Sequence, residues 1–306
     1  MPPATLKEQR YRMITTDSSL PKVSYIMPVF NRAKVVGQAI EGVIEERQRN
    51  YPNIELVVMD GGSTDGTVDV VKSFGNEIQI FRSEKDAGAA DAFNKGVDLA
   101  HGDIIRYVAG DDTILNGHTR RMVDYLMEQP EIDLLGARAR SLRTNAQGCV
   151  VESEKHATLS GGWMTPDEVL TWDRSGVFAY IETWFFRRRI FSKIGCLDTR
   201  YRICPDVDFA FRAVNAGCKF YVLPDVILNK IDHADGSNLV ANVPKTFAEL
   251  RDIIYRHGTF GQRIRFYYSF PAPLHDRVFW AAWLLLLKKL KSLSPGIYAK
   301  LQRLFS

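Results

Sequence analysis

Residues 23–30 read VSYIMPVF, an apolar run rich in β-branched and aromatic residues that indicates a buried strand. Later runs of the same character also end in turn-forming residues, namely IELVVMD (54–60), IQIFRS (78–83) and DIIRYVA (103–109). Between and after these runs, apolar residues recur with helical spacing, at about 34–48, 65–74, 89–100 and 115–128. The alternation of strands and helices predicts an α/β fold with a parallel, doubly wound sheet, whose ligands bind outside the carboxyl ends of the strands.

The composition is that of an ordinary globular protein. The chain has 306 residues, and 45% of them are hydrophobic, which is ample for the core of one large α/β domain. The four cysteines form no CxxC pair and have no histidine at ligand spacing, so the sequence favours neither a disulfide framework nor a zinc site. Residues 1–21 lack the apolar segment of a secretory signal, and we expect a cytoplasmic protein with a polar N-terminal arm.

Positive charge is concentrated in the C-terminal part of the chain. Residues 251–306 contain ten Lys or Arg residues and two Asp residues, whereas the whole chain has a net charge of only +4. This distribution indicates a local anionic partner and argues against general binding of nucleic acid. We interpret residues 22–240 as one domain and residues 241–306 as a helical tail.

The tail also contains an apolar run, VFWAAWLLLL (278–287), which is followed by KKLK. A bilayer-spanning helix needs about 20 apolar residues, so this run does not cross a membrane by itself. Its tryptophans and the lysines beside it suit a helix that lies on an anionic membrane surface, and we predict this contact for residues 262–293. The alternative is a helix that packs on the domain or on a second copy of the chain in a homo-oligomer.

The first two predicted strands end in polar clusters, PVFNR (28–32) and DGGSTDGT (60–67). Taken alone, the second cluster is a turn that caps a helix. The functional alternative is a nucleotide site, in which the Asp60 carboxylate accepts from a base or ribose donor. The chain has neither GxGxxG nor GxxxxGK[ST], so no dinucleotide fingerprint or Walker loop supports a more familiar nucleotide site.

The third and fourth strands lead to SEKDAGAADAFNKG (83–96) and AGDD (109–112). The first of these clusters places three polar side chains on one helix face, which suits either a ligand or a capped, solvated helix start. They are Asp91, Asn94 and Lys95. Asp111 and Asp112 suit either a turn or a site for Mg²⁺ or Mn²⁺, which bind carboxylate and phosphate oxygens. The residues alone leave these alternatives open.

Five motifs, taken in order, resemble the family 2 glycosyltransferases of the GT-A fold, and most of all the bacterial members that build surface polysaccharides. They are PVFNR, DGGSTDGT, DAGAADAFNKG, AGDD and IGCLDTRYRICPDVDFAFRAVNAG (194–217), within about residues 22–240. The resemblance implies a Rossmann-like, mostly parallel sheet with flanking helices. It also implies inverting transfer of a sugar from a nucleotide-diphosphate donor, here expected to be a UDP-sugar, with Mn²⁺ or Mg²⁺ as cofactor.

The resemblance assigns roles to residues at matching positions. Those expected to bind the nucleotide sugar are Pro28, Val29, Asn31, Asp60, Asp86, Asp91, Asn94, Lys95 and Asp111. Asp112 is the expected metal ligand, and His233 and Ser237 lie in a loop that commonly approaches the metal or the diphosphate in the family. Gly110 stands where a strict DXD motif has its first Asp, which leaves Asp112 as the main ligand and Asp111 as its helper.

Asp206 is the expected catalytic base, although Pro205 replaces the glutamate that usually precedes the base in the family. The alternative for Asp206 is a helix N-cap. Asp208 lies two residues later, where it points elsewhere on the helix and is expected to support Arg212.

Glu182 and Trp184 lie where relatives meet the acceptor, which we expect to be a glycan or a polyprenyl-linked glycan at the inner face of the cytoplasmic membrane. Two rival functions stay open. A sugar nucleotidyltransferase should show a Gly-rich loop with Arg or Lys near its N-terminus, and none is visible. A catalytically inactive, membrane-associated scaffold or sensor would bind the sugar nucleotide without turnover, and only the retention of Asp112 and Asp206 argues against it.

Overall fold

The computed structural model describes residues 20–144, 150–152, 162–164, 181–232, 243–259 and 261–263 as a mixed α/β structure with one sheet. Its strands are β1 (Val23–Val29), β2 (Ile54–Asp60), β3 (Ile80–Ser83), β4 (Ile104–Tyr107), β5 (Thr113–Ile114), β6 (Leu134–Thr144), β7 (Val150–Glu152), β8 (Gly162–Trp163), β9 (Phe185–Arg187) and β10 (Phe220–Asp232). Its helices are α1 (Val36–Arg49), α2 (Thr67–Ser73), α3 (Ala89–Leu99), α4 (His118–Glu128), α5 (Arg189–Ile194), α6 (Pro205–Asn215) and α7 (Val243–His257). Short 3-10 turns cover Gly75–Glu77 and Ile181–Thr183.

The strands form one sheet in the order β3-β2-β1-β4-β9-β6-β10-β5, and β7 and β8 pair with β6 and β10 outside this order. β1 pairs in parallel with β2 and β4, β2 with β3, and β6 with β10. β9 is antiparallel to both of its neighbours, β4 and β6, and β5 is antiparallel to β10. The predicted α/β fold with a mostly parallel sheet is therefore confirmed, with an antiparallel strand inserted near its centre.

β1 and β2 are buried at every residue, which explains why their sequences are continuous apolar runs. Successive residues of β1 enter different core clusters on opposite faces of the sheet. Ile26 belongs to the cluster that contains Phe93 of α3, whereas Tyr25 and Met27 belong to the one that contains Ile40 of α1. Helices thus cover both faces of these strands, as is usual for parallel sheets.

The run AYIETWFFRR (179–188) also has the apolar and aromatic character that predicts a strand, but only part of it is strand in the structure. Its described part consists of the 3-10 turn Ile181–Thr183 and the three-residue strand β9. The Trp184 amide donates to the Ile181 carbonyl at 3.0 Å, so the backbone closes a turn before it can pair in the sheet. β9 begins at Phe185, which pairs with Arg106 of β4.

The charged side chain of Arg106 in β4 is fully buried. Its guanidinium lies 4.8 Å from the centre of the Tyr25 ring and 4.9 Å from that of Phe185, and it donates to the Tyr25 hydroxyl at 2.7 Å. It also contacts His118 Nε2. Burial lowers the pKa of His118 well below its ordinary value, so the neutral ring accepts from Arg106 and donates from Nδ1 to the Leu115 carbonyl. This network ties β1 and β4 to α4 and to Leu115, which follows β5.

Helix α7, which falls in the predicted tail, packs against α6. It contributes Leu250, Ile253 and Ile254 to the core cluster that contains Phe209 of α6. Among the described helices, none combines the length and apolar character that crossing a bilayer requires. Nearly all of residues 262–293 lie outside the described part of the chain.

Candidate functional site

The carboxyl ends of β1 to β4 lie side by side and bring four sequence motifs to one edge of the sheet. Val29 at the end of β1 pairs with Asp60 at the end of β2, and Asp60 pairs with Ser83 at the end of β3. The Gly61 amide donates to the Val29 carbonyl at 2.9 Å, so the loops after β1 and β2 leave the sheet together. This edge is where open parallel sheets bind ligands.

Asp60 organises the loop after β2. Its side chain is 2% exposed, and its Oδ2 accepts from the amides of Gly62 and Ser63, each at 3.1 Å, and from the Ser83 hydroxyl at 2.6 Å. These donors compensate for the burial of the carboxylate and fix the ends of β2 and β3. Oδ1 makes a longer contact of 3.4 Å with the Ser63 amide and retains lone pairs that can accept from a ligand.

Asn31 joins the loops after β1 and β2. Its φ of 51° is in the left-handed region, which asparagine tolerates better than most residues. Its amide donates to the Ser63 hydroxyl at 2.8 Å, and its Oδ1 accepts from the Thr64 amide at 3.0 Å. Pro28 and Val29, just before it, are buried in β1, so the adjoining loop backbone rather than these two side chains faces the edge.

The Asp86 carboxylate lies against the backbone of Gly61. A Cβ atom at Gly61 would stand 2.6 Å from Asp86 Oδ2, closer than real Cβ contacts allow. The other oxygen, Oδ1, accepts from the Gly88 amide at 2.8 Å. The carboxylates of Asp60 and Asp86 therefore flank one glycine, and this position accepts no larger residue without a shift of Asp86.

The three polar residues of α3 that were predicted to bind the ligand all have partners within the protein. Asp91 accepts from the Ala87 amide at 3.0 Å, and Lys95 lies 3.3 Å from Asp91 and 2.7 Å from Glu84. The hydrogen bond to Glu84 raises the pKa of Lys95. Asn94 makes two bonds with the Leu197 backbone, at 2.8 and 3.0 Å. These contacts suit the alternative of a capped helix start, and a role of the three residues in binding the nucleotide sugar stays a prediction.

The loop after β4 places Asp111 and Asp112 at the same edge. The Asp112 side chain is buried, and Asp111 Oδ2 accepts from Arg32 Nε at 3.0 Å in an ion pair. A Cβ atom at Gly110 would stand 2.5 Å from Val29 Cγ1. A side chain at 110 would therefore need the buried Val29 side chain of β1 to shift, which disfavours an Asp at the first position of a DXD motif in this chain.

The donor chemistry of this loop fits Mg²⁺ or Mn²⁺, because both metals accept carboxylate oxygens and complete their coordination with water and phosphate oxygens. Within the described ranges, no group of three or more His, Cys, Asp or Glu side chains is placed to hold a metal. Among the described residues, a cation at this loop would therefore depend on Asp112 and Asp111, together with the ligand itself. His233 and Ser237 lie outside the described residues.

Asp206 is the second residue of α6, after Pro205 at the first position. The Asp206 side chain is partly exposed, and its Oδ1 accepts from the Val207 amide at 2.9 Å. The N-cap position belongs to Cys204, so Asp206 lies inside the first turn instead of capping it. Asp208 is fully buried and pairs with Arg212 at 2.7 Å, in agreement with the supporting role expected for it.

Glu182 and Trp184 precede β9, which runs antiparallel to β4 and therefore starts near the carboxyl edge. Glu182 is 9% exposed and lies in the 3-10 turn. Trp184 is 1% exposed, and its ring packs against Phe186 at 5.6 Å between centres. Trp184 is thus a core side chain, and only Glu182 remains a candidate for acceptor contact.

Two polar residues at this site have no assigned role in the sequence-based prediction. Arg32 lies within the PVFNR motif, and its positive charge close to the predicted acidic site could have indicated a role there. Glu249 lies on α7, and it accepts a hydrogen bond from the amide of Cys204, 45 residues earlier in the chain, just before α6. The sequence carries no local signal for that contact, because the partners meet only after the chain folds.

Comparison with known proteins gives one family. A sequence model of the family described as Glycosyl transferase family 2 matches residues 24–195. The PGL/p-HBAD biosynthesis glycosyltransferase of Mycobacterium tuberculosis is 31% identical over 196 residues, which are 63% of this chain and 69% of that protein. Glycosyltransferase GlyG of Streptococcus pneumoniae is 29% identical over 110 residues, 35% of this chain and 34% of that protein.

Solved structures share the fold at low sequence identity. The crystal structure of Staphylococcus aureus TarS 1–349 in complex with UDP-GlcNAc is 16% identical, with a TM-score of 0.61 over 84% of this chain and 77% of that one. The mannosyltransferase PcManGT from Pyrobaculum calidifontis, in complex with GDP-Man and Mn²⁺, is 17% identical, with a TM-score of 0.54 over 97% and 89% of the two chains.

Proposed function

Because the chain belongs to glycosyl transferase family 2, we propose that it is an inverting enzyme that transfers a sugar from a UDP-sugar to a glycan or lipid-linked glycan in polysaccharide biosynthesis. The observation that carries the proposal is the convergence of the four motifs on one sheet edge. There Asp60 and Asp86 flank Gly61, while Asp112 lies on the loop after the adjacent strand β4.

The nucleoside is proposed to bind beside Gly61, between the carboxylates of Asp60 and Asp86. Both carboxylates are held in place by backbone amides, so they are preorganised to accept from ribose hydroxyls or base N–H groups. The loop through Asn31 is held by Ser63 and Thr64, and it is proposed to cover the base. Because these side chains are already ordered, little conformational entropy is lost when the donor binds.

The nucleoside site predicts a specific effect of Gly61→Ala. The added methyl group would displace the Asp86 carboxylate, and we expect the dissociation constant for UDP to rise about tenfold, the equivalent of one lost hydrogen bond to a charged group. Isothermal titration with UDP measures the change. Gly42→Ala on α1 is the control, because a Cβ there would meet no atom closer than 3.8 Å and because neither Gly42 nor Gly61 has positive φ. Equal UDP affinity in wild type and Gly61→Ala would show that the nucleoside does not bind at this position.

Asp112 and Asp111 are proposed to hold the divalent cation together with the donor diphosphate. When bound, the cation would neutralise the charge that develops on the departing diphosphate. Asp112 is the main ligand in this proposal because Asp111 is already paired with Arg32. Arg32 is placed to balance the charge of Asp111 and to orient it beside Asp112.

Asp206 is proposed to act as the general base. The acceptor hydroxyl oxygen attacks the anomeric carbon from the face opposite the diphosphate, its proton passes to the Asp206 carboxylate, and the bond from the anomeric carbon to the diphosphate oxygen breaks. One displacement inverts the configuration and needs no covalent enzyme intermediate. Glu182, in the turn before β9, is proposed to contact the acceptor.

A panel of sugar nucleotides tests the proposal. Purified protein would be incubated with UDP-glucose, UDP-GlcNAc, UDP-galactose or GDP-mannose, with Mn²⁺ or Mg²⁺ or with EDTA, and released nucleoside diphosphate would be measured. We expect one UDP-sugar to be hydrolysed slowly in the presence of metal and not in EDTA. Binding of a sugar nucleotide without release, even with lipid-linked glycan acceptors added, would instead support the scaffold or sensor.

The place of action is also a proposal. The basic and apolar character of residues 262–293 supports contact with an anionic membrane surface at the inner face of the cytoplasmic membrane, where a polyprenyl-linked acceptor would be within reach. Sedimentation of the full chain with vesicles that contain anionic lipid, compared with neutral vesicles, would measure this contact.

A further inference from the structure

Helix α7 lies beyond the residues 24–195 that the family model matches, yet it holds the segment that leads to the proposed base. The carboxylate of Glu249 on α7 accepts hydrogen bonds from three successive backbone amides. Arg202 N donates to Oε1 at 3.0 Å, and Ile203 N and Cys204 N each donate to Oε2 at 2.9 Å. Successive amides that converge in this way form a site for an anion, and here a side chain of the same protein fills it.

Further contacts join α7 to the same region. The Tyr201 hydroxyl donates to Asp252 Oδ2 at 2.6 Å, and this bond lowers the pKa of Asp252, whereas burial raises the pKa of Tyr201. His257 Nε2 lies 3.1 Å from Asp208 Oδ1, and Asn215 Nδ2 donates to the His257 carbonyl at 3.1 Å. α7 therefore holds both α6 and the segment that precedes it.

The last of the three amides that Glu249 holds belongs to Cys204, which lies two residues before Asp206. Cys204 is the N-cap of α6 and makes no side-chain cap bond, so the carboxylate next to this helix start comes from Glu249. The ring of Pro205 fixes its φ at about −65°. Little backbone freedom therefore remains between the Cys204 amide, which Glu249 holds, and the side chain of Asp206.

We propose that Glu249 is a positioning residue for Asp206 and that α7 is a working part of the catalytic domain. The inference rests on the proposed role of Asp206 as the base. Glu249 does not touch the reacting atoms; it fixes the backbone from which Asp206 projects. Displacing a reacting group by about 1 Å can lower a rate by about 10²-fold, so the loss of Glu249 should act on kcat.

Kinetics of Glu249→Ala and Glu249→Gln test the proposal, with the sugar nucleotide that the panel identifies as substrate. We expect kcat to fall about 10²-fold for alanine and about 10-fold for glutamine, which keeps one acceptor oxygen, with KM for the donor unchanged within about twofold. The controls are Glu41→Gln, an exposed acid on α1, and Arg251→Ala, an exposed residue on α7. Both controls should match wild type.

A double-mutant cycle separates positioning from a merely structural role. If Glu249 acts through Asp206, Glu249→Ala should cause almost no further loss of kcat in an Asp206→Asn background. An equal loss in both backgrounds, or a wild-type kcat for Glu249→Ala, would overturn the proposal. If Asp206→Asn alone keeps full activity, the base assignment fails instead.

Amide exchange gives a readout that needs no activity. Hydrogen–deuterium exchange of the peptide over residues 201–209 should be faster in Glu249→Ala and Glu249→Gln than in either control, because three amides lose their charged acceptor. Retained binding of UDP would show that the rest of the fold is intact. Unchanged exchange at residues 202–204 would show that Glu249 does not hold the segment.

Discussion

Asp206→Asn is expected to lower kcat for sugar transfer by about 10²- to 10⁴-fold, the range that general base catalysis contributes, while KM for the donor changes less than about threefold. Asparagine has the same shape but cannot take the acceptor proton. The donor contacts that we propose lie on the loops after β1, β2 and β4, whereas Asp206 lies on α6. Steady-state kinetics with the donor identified by the panel measure both constants.

The control for this substitution is Asp69→Asn, because Asp69 is an exposed acid in the first turn of α2. It should retain wild-type kcat. Thermal unfolding distinguishes the base from a purely structural role in the first turn of α6, since the loss of an acid there costs up to about 1 kcal/mol of stability and would leave kcat unchanged. A stable Asp206→Asn enzyme with full kcat would contradict the base assignment.

Asp112→Asn is expected to remove the effect of metal on donor binding and to lower kcat/KM by about 10²-fold or more, because the carboxylate is the main proposed ligand for the cation. Asparagine keeps the shape of this buried side chain and can accept hydrogen bonds, so the fold should survive. Isothermal titration of UDP with and without Mn²⁺ measures the effect. In EDTA, wild type and variant should bind UDP with the same affinity.

Asp111→Asn provides the matched comparison for Asp112→Asn. Asp111 is already neutralised by Arg32 at 3.0 Å, so its loss should weaken Mn²⁺-dependent binding of UDP less than the loss of Asp112 does. If Asp111→Asn has the larger effect, the roles of the two carboxylates are reversed. If neither substitution changes the Mn²⁺ dependence, the cation does not bind at this loop.

Much of the fold follows from local sequence pattern. The strands β1, β2 and β4 are almost entirely buried, so their apolar runs mark their positions within a few residues. β3 lies at the end of the strand order and is only partly buried, although its sequence also predicts a buried strand. The antiparallel insertion of β9 between β4 and β6 did not follow, because strand pairing depends on contacts between residues far apart in the chain. Phe185, for example, pairs with Arg106 and with Leu135.

The site was only partly predictable for the same reason. Asp60, Asp86 and Asp112 follow successive strands, so the sequence predicts that they share an edge. Asn94 shares a helix face with Lys95 as expected, but its amide bonds to Leu197 at a distance of 103 residues, which the helix pattern does not reveal. Helical periodicity predicts which residues share a face and does not predict what packs against that face.

The two departures from the family motifs have different physical origins. At Gly110, a larger residue would need the Val29 side chain of β1 to shift. Pro205 stiffens the start of α6, while the carboxylate that contacts the preceding amides comes from Glu249 on a separate helix. Both positions are next to a contact between segments that are distant in the chain, and the sequence motif alone shows only that the acid is missing.

The most direct test of the proposed site is diffraction from crystals grown with Mn²⁺ and the sugar nucleotide that turns over. We expect the nucleoside between Asp60 and Asp86, and a manganese anomalous signal beside Asp112 and the diphosphate. A nucleotide bound at any other edge of the sheet, or a manganese signal away from Asp112, would contradict the proposed site.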